Sequence, residues 1–474
     1  MINLLLLNIV FLLVIFVEAN NLPNGRPNID ERTFRSPIID NIITNLIPYF
    51  IDNNIAVLFS NCWPNSLDTT INNYNFHNKN DLDSFVITGD INALWLRDSQ
   101  NQLQAYIPYA INDENLTNLI EGLIQRQAKS IIIDPFANAF NYNASGAGHQ
   151  NDIRKPPMQS SIFEGKYEID SIMSFVKLSY WHYRYSSEKA LKRFANEIWL
   201  NAISKVLETV SIMQQDDGQQ IDPPYKFQRL ATNALDTLIM AGMGPPVKLN
   251  GLSRQLFRPS DDASTLGYNV PGNIMACVEL KHLSDMLKII GDDKLKSSSD
   301  KIASDICNGL DEIIKNQSII PFEVDGYGSY YYMDDANLPS LLSIPILGYM
   351  SKSNNIYKKT RDYCLSKNNP YYYEGRDGFG IGGPHEGSDY AWPMSLIVAA
   401  MTTDNDDEIL KYLDVIKKTT ANTGFIHEAF SVHSQYDYTR SWFAWVKSLL
   451  LLLSLLLLLL LLLLFFRQTA YLEK

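Results

Sequence analysis

The chain has 474 residues, 46% of them hydrophobic and 19% charged, a balance that argues against disorder and accommodates one large barrel or two domains. Its net charge is −12 with no block of lysine or arginine, which argues against a nucleic-acid partner, because neutralising phosphate needs a basic face. An acidic soluble protein acting on a neutral substrate such as a sugar fits this balance.

In chain order, Leu4 to Val17 is an almost unbroken apolar run followed by Val17-Glu18-Ala19. This predicts a signal peptide over residues 1–19, although the usual positive start is missing; a signal anchor is the alternative. Residues 20–37 are polar, with proline and glycine, and read as an extended arm. From 38 to 447 helical spacing dominates with no strong internal boundary, which predicts one catalytic domain. Ile169, Ile172, Met173, Val176 and Tyr180 share a face, as do Leu191, Phe194, Ile198 and, further on, Val206 and Val210. Ala276, Leu280, Leu283, Leu287 and Ile290 repeat the pattern before Gly291, a natural helix end. Ile302, Ile306, Leu310 and Ile313 form another stripe, and Ile409, Leu413 and Ile416 a last one, entered through the acidic stretch Asp404 to Glu408. Strand signals are short, at 85–88 and 330–333. Leu449 to Phe466 is all Leu or Phe apart from Ser454, so residues 448–474 read either as a membrane anchor with a short tail or as the last core helix of the barrel. Sequons at Asn115, Asn143 and Asn316 fit passage through the secretory pathway. Cys62, Cys277, Cys307 and Cys364 form no C-x-x-C pair, so structural zinc is not indicated, and both disulfides and free buried thiols remain open.

Four polar loops between the helices carry the chemistry-bearing residues. Thr88-Gly89-Asp90 runs into Trp95-Leu96-Arg97-Asp98-Ser99, which offers a ring face and charged groups to a sugar; the structural alternative is a core Trp beside an Arg–Asp pair. Arg258-Pro259-Ser260-Asp261-Asp262 sets two carboxylates side by side, as a helix cap or a catalytic acid. In extended backbone only one of the two would face a substrate. Gly378 to His385 holds four glycines that would let backbone approach a ligand, without the Lys and Ser/Thr of a phosphate loop. His427-Glu428 lacks the second histidine of a zincin. Tyr438-Thr439-Arg440-Ser441-Trp442 follows it. No G-x-S-x-G elbow is present, and no local signature supports a cysteine nucleophile. What remains is carboxylate, aromatic and Arg, the material of glycoside hydrolysis.

Read as an ordered set, these segments resemble glycoside hydrolase family 125, the metal-independent exo-α-1,6-mannosidases. The resemblance extends through Asp134-Pro135-Phe136-Ala137-Asn138, Lys166-Tyr167-Glu168-Ile169-Asp170-Ser171, Met333-Asp334-Asp335-Ala336-Asn337, Gly382-Gly383-Pro384-His385, Trp392-Pro393-Met394-Ser395 and Gly424-Phe425-Ile426-His427-Glu428. It implies an all-α (α/α)6 barrel with its active site on elaborated loops at one end. It also implies inverting release of terminal α-1,6-linked mannose from mannose-containing glycans, with neither cofactor nor metal. By motif, Glu428 would be the general base and one of Asp261 and Asp262 the general acid, with Asp261 preferred. Arg97, Asp98, Glu168, Asp170, His385, Arg440 and Trp442 would hold the sugar or order the catalytic pair. The acid is expected to be kept protonated by burial or a neighbouring carboxylate, and the base to be kept ionised by a nearby Arg. The sequence departs from the family pattern in having Gly-Gly-Pro-His where Gly-Ser-Pro-His is common, and in the poly-leucine run. The alternatives are a membrane-tethered glycan-binding protein without turnover and a barrel glycosidase of another sugar specificity. Secretion, the cell surface or an endomembrane lumen is the expected location.

Overall fold

The computed structural model describes residues 21–448 except Asn80 and Thr232. The signal peptide expected over residues 1–19 and the run Leu449–Phe466 lie outside the described residues. Among the described residues no helix is long and apolar enough to cross a membrane.

The apolar stripes form helices where the spacing places them, and local chemistry sets their ends. Asn405 caps Asp406–Lys418 by accepting from the backbone N–H groups of Asp407 and Glu408, with acids in the first turn and Lys417 and Lys418 in the last. Gly291, at φ 88°, takes the left-handed position that ends Val270–Ile290 and turns the chain directly into Asp293–Ile314. The stripe read through Leu191, Phe194 and Ile198 is two helices, Glu188–Phe194 and Glu197–Gln215, because Asn196 caps the second.

Helices pair in sequence as inner and outer members of a ring. The pairs are α2 Leu96–Gln104 with α3 Glu114–Ile133, α4 Ile169–Tyr185 with α5 Glu197–Gln215, and α6 Val270–Ile290 with α7 Asp293–Ile314. They continue with α8 Ile344–Leu347 and α9 Asn355–Cys364, then α10 Pro393–Met401 and α11 Asp406–Lys418. The helix that opens at residues 444–448, α12, closes the ring with the early helix α1 Asn53–Cys62. The inner members α2, α4, α6 and α8 pack on one another in order; outside them α3 packs on α5, α5 on α7, and α11 on α1. This is an (α/α)6 barrel, as expected. Inner helices are buried almost all round, as α2 and α10 show, whereas outer helices bury one stripe. The ring is tied where its ends meet, by Ser66 Oγ at 2.7 Å from Ser448 Oγ and by Asn61 Nδ2 donating to Gly424 O at 2.9 Å.

Of the expected arm over residues 20–37, residues 21–36 follow the barrel surface as a strap, and Pro37 opens the helix Pro37–Leu46. Leu22 and Phe34 are buried, and Arg26 pairs with Asp68 and Asp40 at 2.7 and 2.6 Å. Cys277 and Cys307 form a disulfide between α6 and α7, while Cys62 and Cys364 are free and buried. Short antiparallel sheets sit in the loops. Leu94–Trp95, Ala139–Phe140 and Ile162–Glu164 form one, and Tyr390–Ala391, Phe430–Ser431 and Ser434–Tyr438 another. The two strand signals appear as Asp83–Val86 and Tyr330–Tyr331.

Candidate active site

The N-terminal ends of the inner helices open on a cavity of about 320 Å³, lined by Trp95, Arg97, Asp98, Asp261, His385, Trp392, Glu428, Arg440, Phe443 and Trp445 among others. Partial positive charge at helix N-termini suits a site so rich in carboxylates. The first and last loops are locked together at Gly89. Its φ is 136°, and a Cβ there would lie 2.1 Å from Trp442 O, so only glycine fits. Asp90 N donates to Trp442 O at 3.1 Å. This lock brings Asp90 to Arg440, whose Nε donates to both carboxylate oxygens at 3.0 and 3.2 Å, and Arg440 in turn donates to Glu428 Oε1 at 3.1 Å.

Arg97, in the first turn of α2, is surrounded by acids. It donates to Glu168 Oε2 at 2.5 Å, to Asp170 Oδ2 at 3.1 Å and to Asp261 Oδ1 at 3.3 Å. Asp98 lies 3.6 Å away, and the Trp445 ring lies 5.4 Å from the guanidinium carbon. Burial and the neighbouring carboxylates Asp261 and Asp170 push Glu168 well above the usual carboxylate range against the pull of Arg97. Burial raises Asp98 to about 6, again against Arg97.

Asp261 and Asp262 sit in a tight turn, closed by Arg258 N donating to Asp262 O at 2.7 Å and Asp261 N to Arg258 O at 2.9 Å. No helix starts there; the next begins at Val270 with Asn269 as its cap, so the capping role is excluded. The two side chains do diverge, through left-handed backbone at Asp261 (φ 67°) rather than through extended chain. The Asp261 side chain is 24% exposed and faces the cavity, whereas that of Asp262 is 2% exposed and lies 3.0 Å from His385 Nδ1. Burial opposes charge on His385, but the hydrogen bond and charge of Asp262 overcome it and raise the imidazole to about 10.

Glu428 is 2% exposed yet lines the cavity, with its second oxygen accepting from Thr439 Oγ1 at 3.1 Å. The expected Arg is present as Arg440, but burial outweighs it and, with the charge of Glu386, raises Glu428 to about 8. Asp261 moves the other way. Burial would raise it, but Arg97 and Lys166 hold it below the ordinary range. Asp261 and Glu168 both accept from Asn138 Nδ2, at 3.2 and 3.4 Å. The expectation that burial or a neighbouring carboxylate keeps Asp261 itself protonated is therefore corrected. Of these two neighbours, burial favours a proton on Glu168, whereas Arg97 and Lys166 favour charge on Asp261.

Of the ten residues singled out, Arg97, Asp98, Asp261, His385, Glu428 and Arg440 line the cavity. Glu168 and Asp170 lie behind Arg97 as its buried partners, and Asp262 lies behind His385. Trp442 does not line the cavity: its indole N–H donates to Thr69 Oγ1 at 3.1 Å, a structural use. The aromatic walls are Trp95, Trp392, Phe443 and Trp445 instead. The indole nitrogens of Trp95, Trp392 and Trp445 and Asp98 Oδ2 have no hydrogen-bond partner among the described residues. The loop glycines approach protein rather than ligand: a Cβ on Gly382 would lie 2.1 Å from Tyr390 O. Sequence reasoning missed the far wall, His149, Glu164, Arg229 and Asp236, where Arg229 pairs with Asp152 at 2.7 Å and Glu164 at 2.9 Å. Its only signal is Lys166 in a quoted motif, which donates to Asp236 at 3.0 Å and to Asp261 O at 2.7 Å. No group of three or more His, Cys, Asp or Glu side chains among the described residues is arranged to hold a metal ion.

The profile of the metal-independent alpha-mannosidases (GH125) matches residues 52–453. The meiotically up-regulated gene 157 protein of Schizosaccharomyces pombe is 41% identical over 446 residues, covering 90% of this chain and 87% of its own. A Streptococcus pneumoniae protein from a family of metal-independent alpha mannosidases, solved in a non-productive complex with alpha-1,6-mannobiose, superposes with a TM-score of 0.83 at 31% identity. That match covers 89% of this chain and 98% of the other. The Saccharomycopsis fibuligera glucoamylase, at 12% identity and a TM-score of 0.50 over 91% of this chain and 98% of its own, shares the fold.

Proposed function

Because this chain belongs to the metal-independent α-mannosidases of glycoside hydrolase family 125, we propose that it is an exo-acting enzyme releasing terminal α-1,6-linked mannose from glycans with inversion. The observation that carries the reading is that Asp261 and Glu428, 167 residues apart in sequence, line one small cavity walled by aromatic rings. Aromatic faces take the apolar side of a sugar ring, and the charged side chains on the cavity wall, Arg97, Asp98, His385 and Arg440, suit its hydroxyls.

In this mechanism Glu428, held by Arg440 and Thr439, removes a proton from water as that water attacks the anomeric carbon. The glycosidic oxygen leaves with a proton from the Glu168–Asp261 pair, passed through Asp261 because it is the member at the cavity wall. Inversion asks that the two carboxyl groups stand about 6.5–9.5 Å apart, with the water between them. We place the enzyme in the secretory pathway. The Cys277–Cys307 disulfide supports an oxidising compartment, and Asn115, Asn143 and Asn316 are all exposed and open to glycosylation.

The test is release of free sugar from α-1,6-mannobiose, with the product anomer read by NMR and chelator present throughout. β-Mannose as first product, lost in Glu428→Gln by about 10²–10⁴-fold in kcat, supports the reading. Binding of α-mannosides with no turnover across linkages favours a glycan-binding protein, and turnover of other aryl glycosides alone favours another sugar specificity.

A further inference from the structure

A second cavity, of about 260 Å³ and so close in size to the catalytic one, lies on the outer wall of the barrel. No residue lines both, although the strand Phe379–Ile381 that walls the second runs on through Gly382 to His385 of the first. Three helices and a hairpin build it. α9 supplies Arg361 and α10 supplies Leu396. α11 supplies Glu408, Lys411 and Tyr412, which share one face at spacings of three and four. The hairpin adds Tyr372 and Phe379, which lie diagonally on one of its faces because Tyr372 pairs with Ile381 and Glu374 with Phe379. The Phe379 ring stands 6.5 Å from that of Tyr372 and 6.0 Å from that of Tyr412.

Some polar groups here are spent on bracing the wall, and others are free. Arg361 donates to Glu408 Oε1 at 2.7 Å and to Ala399 O at 3.0 Å, and the Tyr412 hydroxyl donates to the same Glu408 oxygen at 2.6 Å. Lys411, by contrast, meets no carboxylate among the described residues; its ammonium lies over Phe379, 4.4 Å from the ring centre. The Tyr372 hydroxyl has no hydrogen-bond partner among the described residues, and exposed Asp362 on the cavity lining has none either. Arg361 and Lys411 balance Asp362 and Glu408, so net charge favours neither an anion nor a cation. Ring faces edged by free donors and a free acceptor, on a neutral lining, match an uncharged polyhydroxylated ring.

We propose that this cavity is a second sugar-binding site, taking one hexose ring of a mannose-containing glycan apart from the ring being cleaved. That the sugar is a mannoside rests on the mannosidase reading above. Lys411 and the Tyr372 hydroxyl donate to the sugar hydroxyls, and Asp362 accepts from them.

The experiment titrates α-1,6-mannobiose into Glu428→Gln, which holds the sugar without cleaving it, and follows methyl groups by NMR. Leu365 and Leu396 report on the second cavity and Ile91 on the catalytic one. Saturable shifts are expected at both, with different dissociation constants. Adding Lys411→Met and Tyr372→Phe, which keep the stem and the ring, should weaken binding read at Leu396 by about tenfold and leave that read at Ile91 unchanged. The same two changes in the otherwise wild-type chain should leave kcat on mannobiose unaltered. Shifts at Ile91 alone overturn the proposal and leave the mannosidase reading intact, as do Leu396 shifts that track Ile91 and ignore the two changes. Inorganic phosphate that moves Leu396 where mannobiose does not makes this an anion site and overturns the proposal. No shift at any of the three methyls, with wild type inactive on mannobiose, removes the mannosidase reading and the proposal with it.

Discussion

Replacing Arg97 with methionine should destabilise the fold, and the deficit should grow as pH rises. Arg97 is 3% exposed and is the only cation within 4 Å of both Glu168 and Asp170 among the described residues. Methionine fills the stem of the side chain but leaves Glu168, Asp170 and Asp261 without the charge that compensates their burial. Removing one partner of a buried ion pair costs about 3–5 kcal/mol. For a fold of this size the entropy of unfolding is roughly 0.9 kcal/mol/K, so Tm should fall by about 3–6 °C. The pH dependence follows from linkage. Without Arg97 the three carboxyls have folded values above their unfolded ones, so their contribution is fully present at low pH and is lost as pH rises through the folded values. Scanning calorimetry of wild type and Arg97→Met at about pH 5 and 8 should therefore show the larger gap at the higher pH. A gap under about 1 °C, or one that is equal at both values, would mean that the acids find other partners and that the electrostatic account of this corner is wrong.

Asp90→Asn weakens the clamp on Arg440 without touching the cavity wall; kcat/KM on α-1,6-mannobiose should fall about tenfold with little change in Tm, and an unchanged rate would separate Asp90 from the base. The paired Cys277→Ser, Cys307→Ser variant opens a loop spanning 30 residues, which in the chain-entropy account is about 3.5 kcal/mol, so Tm should drop by roughly 4 °C, as it should on reduction of the wild type.

The parts of this architecture that depend on neighbours in sequence were legible, and those that depend on assembly were not. Periodic apolar positions such as Ile169, Ile172, Met173 and Val176 announce a buried face whatever lies opposite, and all four are buried. Gly291 announces a helix end because the left-handed position selects glycine. Motif order gave the family and the ring. By contrast, nothing local to Glu168 says that it sits behind Arg97, 71 residues away, rather than against substrate. Trp442 and Trp445 look alike in sequence, and only the turn of α12 sends one toward Thr69 and the other to the cavity. Protonation was the least legible, because whether Asp261 or Glu168 keeps a proton depends on Arg97 arriving from a helix and Lys166 from a separate loop. The wall formed by His149, Arg229 and Asp236 comes from aperiodic segments, where the hydrophobic pattern carries no information.

The contact that closes the ring also sets a schedule. Asp90 and Arg440 meet across 350 residues, and Arg97 meets the ring of Trp445 across a similar span. At translation speeds of about 5–20 residues per second, the first half of the centre waits roughly 20–70 s for its last pieces to emerge. Arg97 gains the last of its acids only when Asp261 emerges, and Glu428 follows a further 167 residues later. In the proposed mechanism the centre is therefore incomplete until Glu428 and Arg440 have been made, and a chain released before them would carry an inert cleft.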